Sequence, residues 1–196
     1  MPRKKSFSLK MFIHKTFRRL ERFVFLLNSL LTPRQFIYFS CVLVGISSAL
    51  AVIILKTFAH WVFKSSQKLD DIFHLPYSNS TLPIIGIIIT VINVKKVLDG
   101  SIEKGTSQIM YAVAKKRGIM PRKQMFAQII TSSFTVGMGG SAGLESPITI
   151  TGAAFGSNYA QNYRLSYKDR TLLLACGVAA GIGAAFNAPI AGVLFA

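Results

Sequence analysis

Apolar residues in this chain come in long uncharged runs separated by short breaks rich in Lys and Arg, and the run lengths predict the elements. Residues 35–55 contain no Asp, Glu, Lys or Arg, and the apolar character continues past Lys56 and His60 as far as Phe63. A helix over 35–63 is roughly 40 Å long at about 1.5 Å per residue, enough to cross a membrane on a tilted path. Lys56 and His60 lie near its far end, where such side chains snorkel to the interface on their apolar stems. Residues 64–81 are polar with balanced charge, Lys64 and Lys68 against Asp70 and Asp71, and read as a loop on the far side. Residues 82–94 form a second apolar segment that begins at Pro83 and is closed by the pair Lys95-Lys96.

The segments that follow are broken. After a polar break over 99–105, residues 106–114 are too short to span a membrane and too apolar for an ordinary loop, which predicts a short, partly inserted helix. Gly105, Thr106 and Ser107 at its start are residue types that bend, cap and offer backbone N–H groups. Lys115, Lys116, Arg117, Arg122 and Lys123 surround Pro121 in a second basic loop. Residues 124–136 are apolar enough to rise again until Gly137-Met138-Gly139-Gly140-Ser141-Ala142-Gly143 interrupts them. So many glycines at membrane depth expose backbone, so the break must be buried in protein or line a cavity. Residues 164–170 are polar, and 171–185 are rich in small residues, with Gly177 and Gly181 at the spacing that lets helices approach closely. Asn187 and Pro189 break this run, and 190–196 start another apolar helix with no polar flank, so the chain is expected to be the N-terminal part of a longer protein.

One carboxylate stands out. Residues 124–144 and 146–163 are all uncharged, and Glu145 sits between them in Gly143-Leu144-Glu145-Ser146-Pro147. An ionisable group at membrane depth costs several kcal/mol unless it faces a polar path or a partner, which makes it a functional candidate. Pro147 suits the first turn of a helix and Ser146 suits its N-cap, so a helix is expected to begin at 145–147. Its free N–H groups and positive dipole end would attract an anion. Taken alone, Glu145 is equally well read as an ordinary first-turn acid.

Composition narrows the class. The chain is 51% hydrophobic with mean hydropathy +0.45 and net charge +16, a combination rare in soluble domains. Much of the basic excess precedes the first long apolar run, at Arg3, Lys4, Lys5, Lys10, Lys15, Arg18, Arg19, Arg22 and Arg34. That is the positive-inside pattern, with anionic lipid as the partner and not nucleic acid. Residues 1–34, where these charges alternate with residues such as Phe12, Phe17 and Leu20, are compatible with an amphipathic cytoplasmic helix on the inner leaflet. Cys41 and Cys176 lie in apolar runs without metal-ligand spacing and read as small hydrophobes. His14, His60 and His74 are scattered, and Ser141 has no base near it in sequence. No metal site, cofactor or catalytic constellation is therefore expected, and the chain does not read as an enzyme. Gly137-x-Gly139-x-x-Ala142 is a weak match to a dinucleotide-binding turn, with no acid about twenty positions on.

Two blocks, with a third weaker one, bring a family into view. Gly143-Leu144-Glu145-Ser146-Pro147 resembles the Gly-x-Glu-Gly-Pro signature of CLC chloride channels and proton/anion exchangers. The run from Gly183 through Ala184-Ala185-Phe186-Asn187-Ala188-Pro189 to Phe195 is similar to that family's Ala-Ala-Phe-Asn-Ala-Pro-x-Ala-Gly run. Upstream, Glu103-Lys104-Gly105-Thr106-Ser107 occupies the place of its Gly-Ser-Gly-Ile-Pro. The resemblance spans about 36–196. It implies an all-α membrane protein, a bundle of tilted, broken and re-entrant helices, with 35–196 as the N-terminal part of the transmembrane domain within a first inverted repeat. It further implies a multi-pass homodimer in the plasma or bacterial inner membrane, N-terminus cytoplasmic, with one pore per subunit for chloride or a similar anion and proton coupling in the exchangers. Glu145 becomes the gate, and Lys104, Gly105, Thr106, Ser107, Gly143, Leu144, Glu145 and Ser146 the anion-binding set. Ser146 replaces the family's second glycine, and Ser107 its proline. Lys104 stands where the family has a serine that touches the anion, and either strengthens anion binding or points to the inner solution. Alternatives from the residues alone are another broken-helix anion carrier, or a membrane scaffold that transports nothing and needs no buried acid.

Overall fold

The computed structural model describes residues 32–73, 78–97 and 105–196, with the backbone alone for 69–73, 78–80 and 96–97. All seven elements among them are helices: α1 Pro33–Phe73, α2 Ser78–Val97, α3 Ser107–Lys115, α4 Gln124–Gly137, α5 Glu145–Asn162, α6 Tyr167–Phe186 and α7 Pro189–Phe195. Residues 1–31, where the basic amphipathic segment is expected, lie outside the described residues. Among the described residues, two helices are long and apolar enough to cross a membrane, Pro33–Lys68 within α1 and Tyr167–Phe186.

The chain divides into two compact units, 1–40 and 41–196. In the first, the described residues open α1: the Thr32 N–H donates to the Gln35 side chain at 3.2 Å and Ser40 Oγ donates back to the Phe36 carbonyl at 2.7 Å. In the second, α1 runs on as a two-faced helix. Val44, Ala51, Val52 and Leu55 are buried, while Val42, Ile46, Leu50, Ile53 and Ile54 point outward. An outward apolar stripe this long suits lipid or further protein and not water.

Small residues set how the second unit packs. A Cβ on Gly156 would lie 2.1 Å from the Leu173 carbonyl oxygen, one on Gly152 would lie 2.3 Å from that of Gly177, and one on Gly181 would meet the Ile148 carbonyl at 3.5 Å. Helices α5 and α6 are therefore antiparallel, and each step of four residues forward on one matches four back on the other. Ser48 of α1 donates to the Gly177 carbonyl at 2.6 Å, and Lys56 donates to that of Ala185, also at 2.6 Å. These contacts are eight residues apart on both helices, so α1 and α6 run parallel and in step. Helix α4 joins the same core through Gly137, whose Cβ would lie 2.7 Å from Val62, and through Ser133, which donates to the Leu55 carbonyl at 3.3 Å. Helix α2 packs on α4 at Gly86, and Thr90 Oγ1 lies 2.9 Å from Thr135 Oγ1. The basic connection before α4 is tied down by Ser157, which donates to the Gly118 carbonyl at 2.6 Å and accepts from the Met120 N–H at 2.9 Å.

Three expectations change. The loop expected over 64–81 is mostly helix: α1 continues to Phe73 and α2 begins at Ser78, five residues before Pro83. Lys64 and Lys68 are tolerated there because an exposed helical face accepts charge as readily as a loop does. Ser146 is not the N-cap of α5. Leu144 holds that position with no side-chain cap, and Ser146 lies within the first turn. Lys56, read from sequence as a snorkelling side chain, has a partner that reading did not include, the carbonyl end of another helix.

Candidate functional site

The site begins with two helix starts that the fold brings together. Helix α3 starts after Gly105, whose φ of +64° is left-handed and suits glycine. Thr106 is its N-cap residue and makes no side-chain cap. Helix α5 starts after Leu144, and its first backbone bond runs from the Ile148 N–H to the Leu144 carbonyl at 3.0 Å. Pro147 has no N–H to lose, and the N–H groups of Gly143, Leu144, Glu145 and Ser146 donate to no acceptor among the described residues. Between the two starts, a Cβ on Gly105 would lie 3.7 Å from Ser146 Oγ. The α3 start and the α5 start thus lie close together, with room for little more than a methyl group between Gly105 and the Ser146 hydroxyl, although about forty residues separate them in sequence.

Each start carries the positive end of a helix dipole and unspent N–H donors, so the pair can hold one anion or one carboxylate. Glu145 lies in the first turn of α5, exposed, and its carboxylate accepts no hydrogen bond among the described residues. The side chain is therefore free to compete with an anion for those donors. Gly143 is open on the side where a Cβ would point, with nothing within 4 Å. Close by, a cavity of ≈ 190 Å³ is bordered by Thr90, Thr131, Ser132 and Thr135 on one side and Gly143 and Pro147 on the other. Its threonine hydroxyls are already engaged, Thr90 with the Thr131 carbonyl at 3.3 Å and Thr135 with the same carbonyl at 3.1 Å.

Of the residues singled out from sequence, Gly105, Gly143, Leu144, Glu145 and Ser146 gather at or beside these two starts, with Thr106 and Ser107 exposed at the head of α3. Glu103 and Lys104 lie outside the described residues. The block at 183–195 forms the break between α6 and α7. There Asn187 takes a left-handed φ of 53°, and its N–H, like that of Ala188, donates to the Gly183 carbonyl. Gly192 lets α7 fold back onto α6, since a Cβ there would lie 2.4 Å from the Ala179 carbonyl. What sequence reasoning missed is Lys56. Its bond to Ala185 joins residues 129 apart, and the only signal was a lone cation in an apolar run.

Comparison with known proteins adds three kinds of relative. A family model described as voltage gated chloride channel matches residues 84–196. A ClcB-like chloride channel protein of Ralstonia nicotianae is 31% identical over 163 residues, covering 78% of this chain and 38% of the relative. Chloride channel protein CLC-c of Arabidopsis thaliana is 40% identical over 91 residues, covering 40% of this chain and 12% of the relative. The H(+)/Cl(-) exchange transporter ClcA of Salmonella arizonae is 36% identical over 92 residues, covering 46% of this chain and 20% of the relative. The matched part thus spans well under half the length of each of these relatives.

Proposed function

Since the chain belongs to the voltage gated chloride channel family, CLC, we propose that it is part of a membrane protein that moves chloride or a similar small monovalent anion through a path gated by Glu145. The relatives named are channels and an exchange transporter, not enzymes. The observation that carries the reading is the close approach of the α3 and α5 starts at Gly105 and Ser146, with Glu145 in the adjoining turn.

The N–H groups of Gly143, Leu144, Glu145 and Ser146, with those of Gly105, Thr106 and Ser107, form the anion-binding set. A carboxylate and a chloride want the same donors. When the Glu145 carboxylate occupies them the path is shut, and an anion passes when it leaves. Protonation loosens its hold, because the neutral acid loses the charge-assisted part of each hydrogen bond. Acid outside therefore opens the path, and in an exchanger the same proton is carried inward as the anion moves outward. Lys104, one residue before Gly105 in sequence, belongs to the proposed anion-binding set and either strengthens anion binding by its charge or points to the inner solution. The N-terminal segment 1–34 and the basic loops 95–105 and 115–123 face the cytoplasm, and residues 35–196 form the N-terminal part of the transmembrane domain of a homodimer in the plasma membrane.

The test is anion and proton flux in liposomes carrying the full-length protein, wild type against Glu145→Ala and Glu145→Gln, over a series of external pH values. Both variants are expected to keep a high anion flux that no longer responds to pH and is uncoupled from protons. A Glu145→Ala protein with the wild-type pH response would show Glu145 to be a helix-start residue only.

A further inference from the structure

The two cysteines of the chain, which the sequence reads as small hydrophobes, meet in the fold. Cys41 of α1 and Cys176 of α6 are both free thiols, and they share a side-chain hydrogen bond across the seam between the two helices. The register accounts for the meeting. Helices α1 and α6 run parallel and in step, and one turn beyond the thiols a Cβ on Gly45 would lie 3.7 Å from Ala180 Cβ. Gly45 follows Cys41 by one turn and Ala180 follows Cys176 by one turn, so both pairs belong to the same row of the seam. Cβ atoms joined by a disulfide lie about 3.8 Å apart, which is the separation this row already has one turn on.

The depth of the row decides what reaches it. Val44 and Ser48 on α1 and Leu173 and Gly177 on α6 are buried, whereas Cys41, Gly45, Cys176 and Ala180 are half-buried along the lip of the seam. Beside them Val42, Ile46 and Leu172 are exposed and apolar. The approach to the sulfurs therefore crosses apolar surface. It admits small neutral molecules and is costly for charged ones such as glutathione.

We propose that Cys41 and Cys176 form an oxidisable dithiol, which a lipid-soluble organic hydroperoxide converts into a disulfide that staples α1 to α6. One thiol sulfur gives up its proton and attacks the peroxide, whose O–O bond breaks. That sulfur becomes a sulfenic acid, and the other oxygen takes the proton and leaves as an alcohol. The second thiol then attacks the sulfenic sulfur, the S–S bond forms, and its proton leaves with the hydroxyl as water. Two thiols and one hydroperoxide give one disulfide, one alcohol and one water, the sulfurs oxidised and the peroxide oxygens reduced. The bond fixes the register already present. By closing a loop that contains α2 to α5 it also constrains the unfolded chain, which favours the native one.

The full-length protein in lipid nanodiscs, treated with cumene hydroperoxide, tests this. After alkylation and digestion in denaturant, mass spectrometry is expected to find the Cys41 peptide joined to the Cys176 peptide, and dithiothreitol to separate them. Both thiols are expected to lose their reaction with N-ethylmaleimide together, and the thermal midpoint to rise. Cys41→Ala and Cys176→Ala are each expected to abolish the link and the rise. Gly45→Cys combined with Ala180→Cys, in a background of Cys41→Ala and Cys176→Ala, is expected to link in the same way and is the reference for the register. A wild type without the joined peptide, when the reference pair links, overturns the proposal. So does oxidation of the two cysteines singly to sulfinic acid. Failure of both pairs to link overturns the proposal and the α1–α6 register with it. A link that forms without raising the thermal midpoint shows that the bond distorts the native packing, and overturns the proposal too.

Discussion

Gly156→Ala tests the α5–α6 packing that holds Glu145 at its level. The added Cβ would lie 2.1 Å from the Leu173 carbonyl oxygen and 2.8 Å from Leu174 Cα, both backbone atoms that no rotamer change can clear. An ordinary contact there needs more than 3 Å, so the two helices must separate locally by about 1 Å, the scale at which overpacking costs about 1–3 kcal/mol. The same separation loosens the neighbouring close contact between Gly152 and Gly177. Against this, alanine gains about 1 kcal/mol over glycine as a helix former. The net expectation is a loss of about 2 kcal/mol, placed at the upper end because the obstruction is backbone on both sides. Gly45→Ala is the matched control, since its Cβ would meet only Ala180 Cβ at an ordinary 3.7 Å. There the helix-propensity gain stands unopposed, and stability is expected to hold or rise by up to about 1 kcal/mol. Thermal denaturation of the full-length protein in lipid nanodiscs, followed by tryptophan fluorescence, ranks the two. Equal stability for Gly156→Ala and Gly45→Ala would refute the reasoning, because it would mean that α5 and α6 are not in backbone contact.

Ser157→Ala leaves the Met120 N–H and the Gly118 carbonyl without their buried partner, and is expected to cost about 2 kcal/mol in the same denaturation assay. Asn187→Gly is expected to be neutral and Asn187→Val to lose about 1–2 kcal/mol, because the left-handed φ of 53° suits only a few residue types; equal stabilities would show that the bend is not needed. Lys104→Ser is expected to weaken anion affinity or change anion preference in flux assays, and unchanged values would place that charge away from the path. A single cysteine introduced at Lys116 is expected to react with a membrane-impermeant thiol reagent in inverted vesicles and not in intact cells, and labelling from outside would reverse the topology.

What the sequence made legible is what depends on local chemistry. The uncharged runs predict helices that are present, the short helix of 107–115 follows from its length, and the glycines from Gly137 to Gly143 mark a real break before Glu145. The all-helical class and the family follow from the blocks at 143–147 and 183–195. Other features depend on partners far along the chain. Gly152, Gly156 and Gly177 announce close packing, but which carbonyl each one faces is set by a register that no local pattern encodes. Lys56 looks like a snorkelling residue because its acceptor lies on another helix, and the missing donor at Pro189 matters only once the two are adjacent. Ser146 is a good N-cap residue by type, yet the N-cap falls two residues earlier, on Leu144, which leaves the Ser146 hydroxyl near Gly105. The extra length of α1 past Lys64 was hidden because charge on an exposed helical face and charge in a loop leave the same trace in composition.

The in-step pairing of α1 with α6 also imposes an order on biogenesis. Ser48 and Lys56 find their acceptors 129 residues later in the chain. At the usual pace of synthesis, about 5–20 residues per second, α1 waits roughly 6 to 26 seconds for its partner to be made. Throughout that interval the Lys56 ammonium has no helix end to rest on, and the polar surroundings it can reach are those of the membrane interface. Snorkelling, which the sequence suggests as its final position, is thus its place in the nascent chain. Docking of α6 is the event that gives the ammonium its carbonyl acceptor.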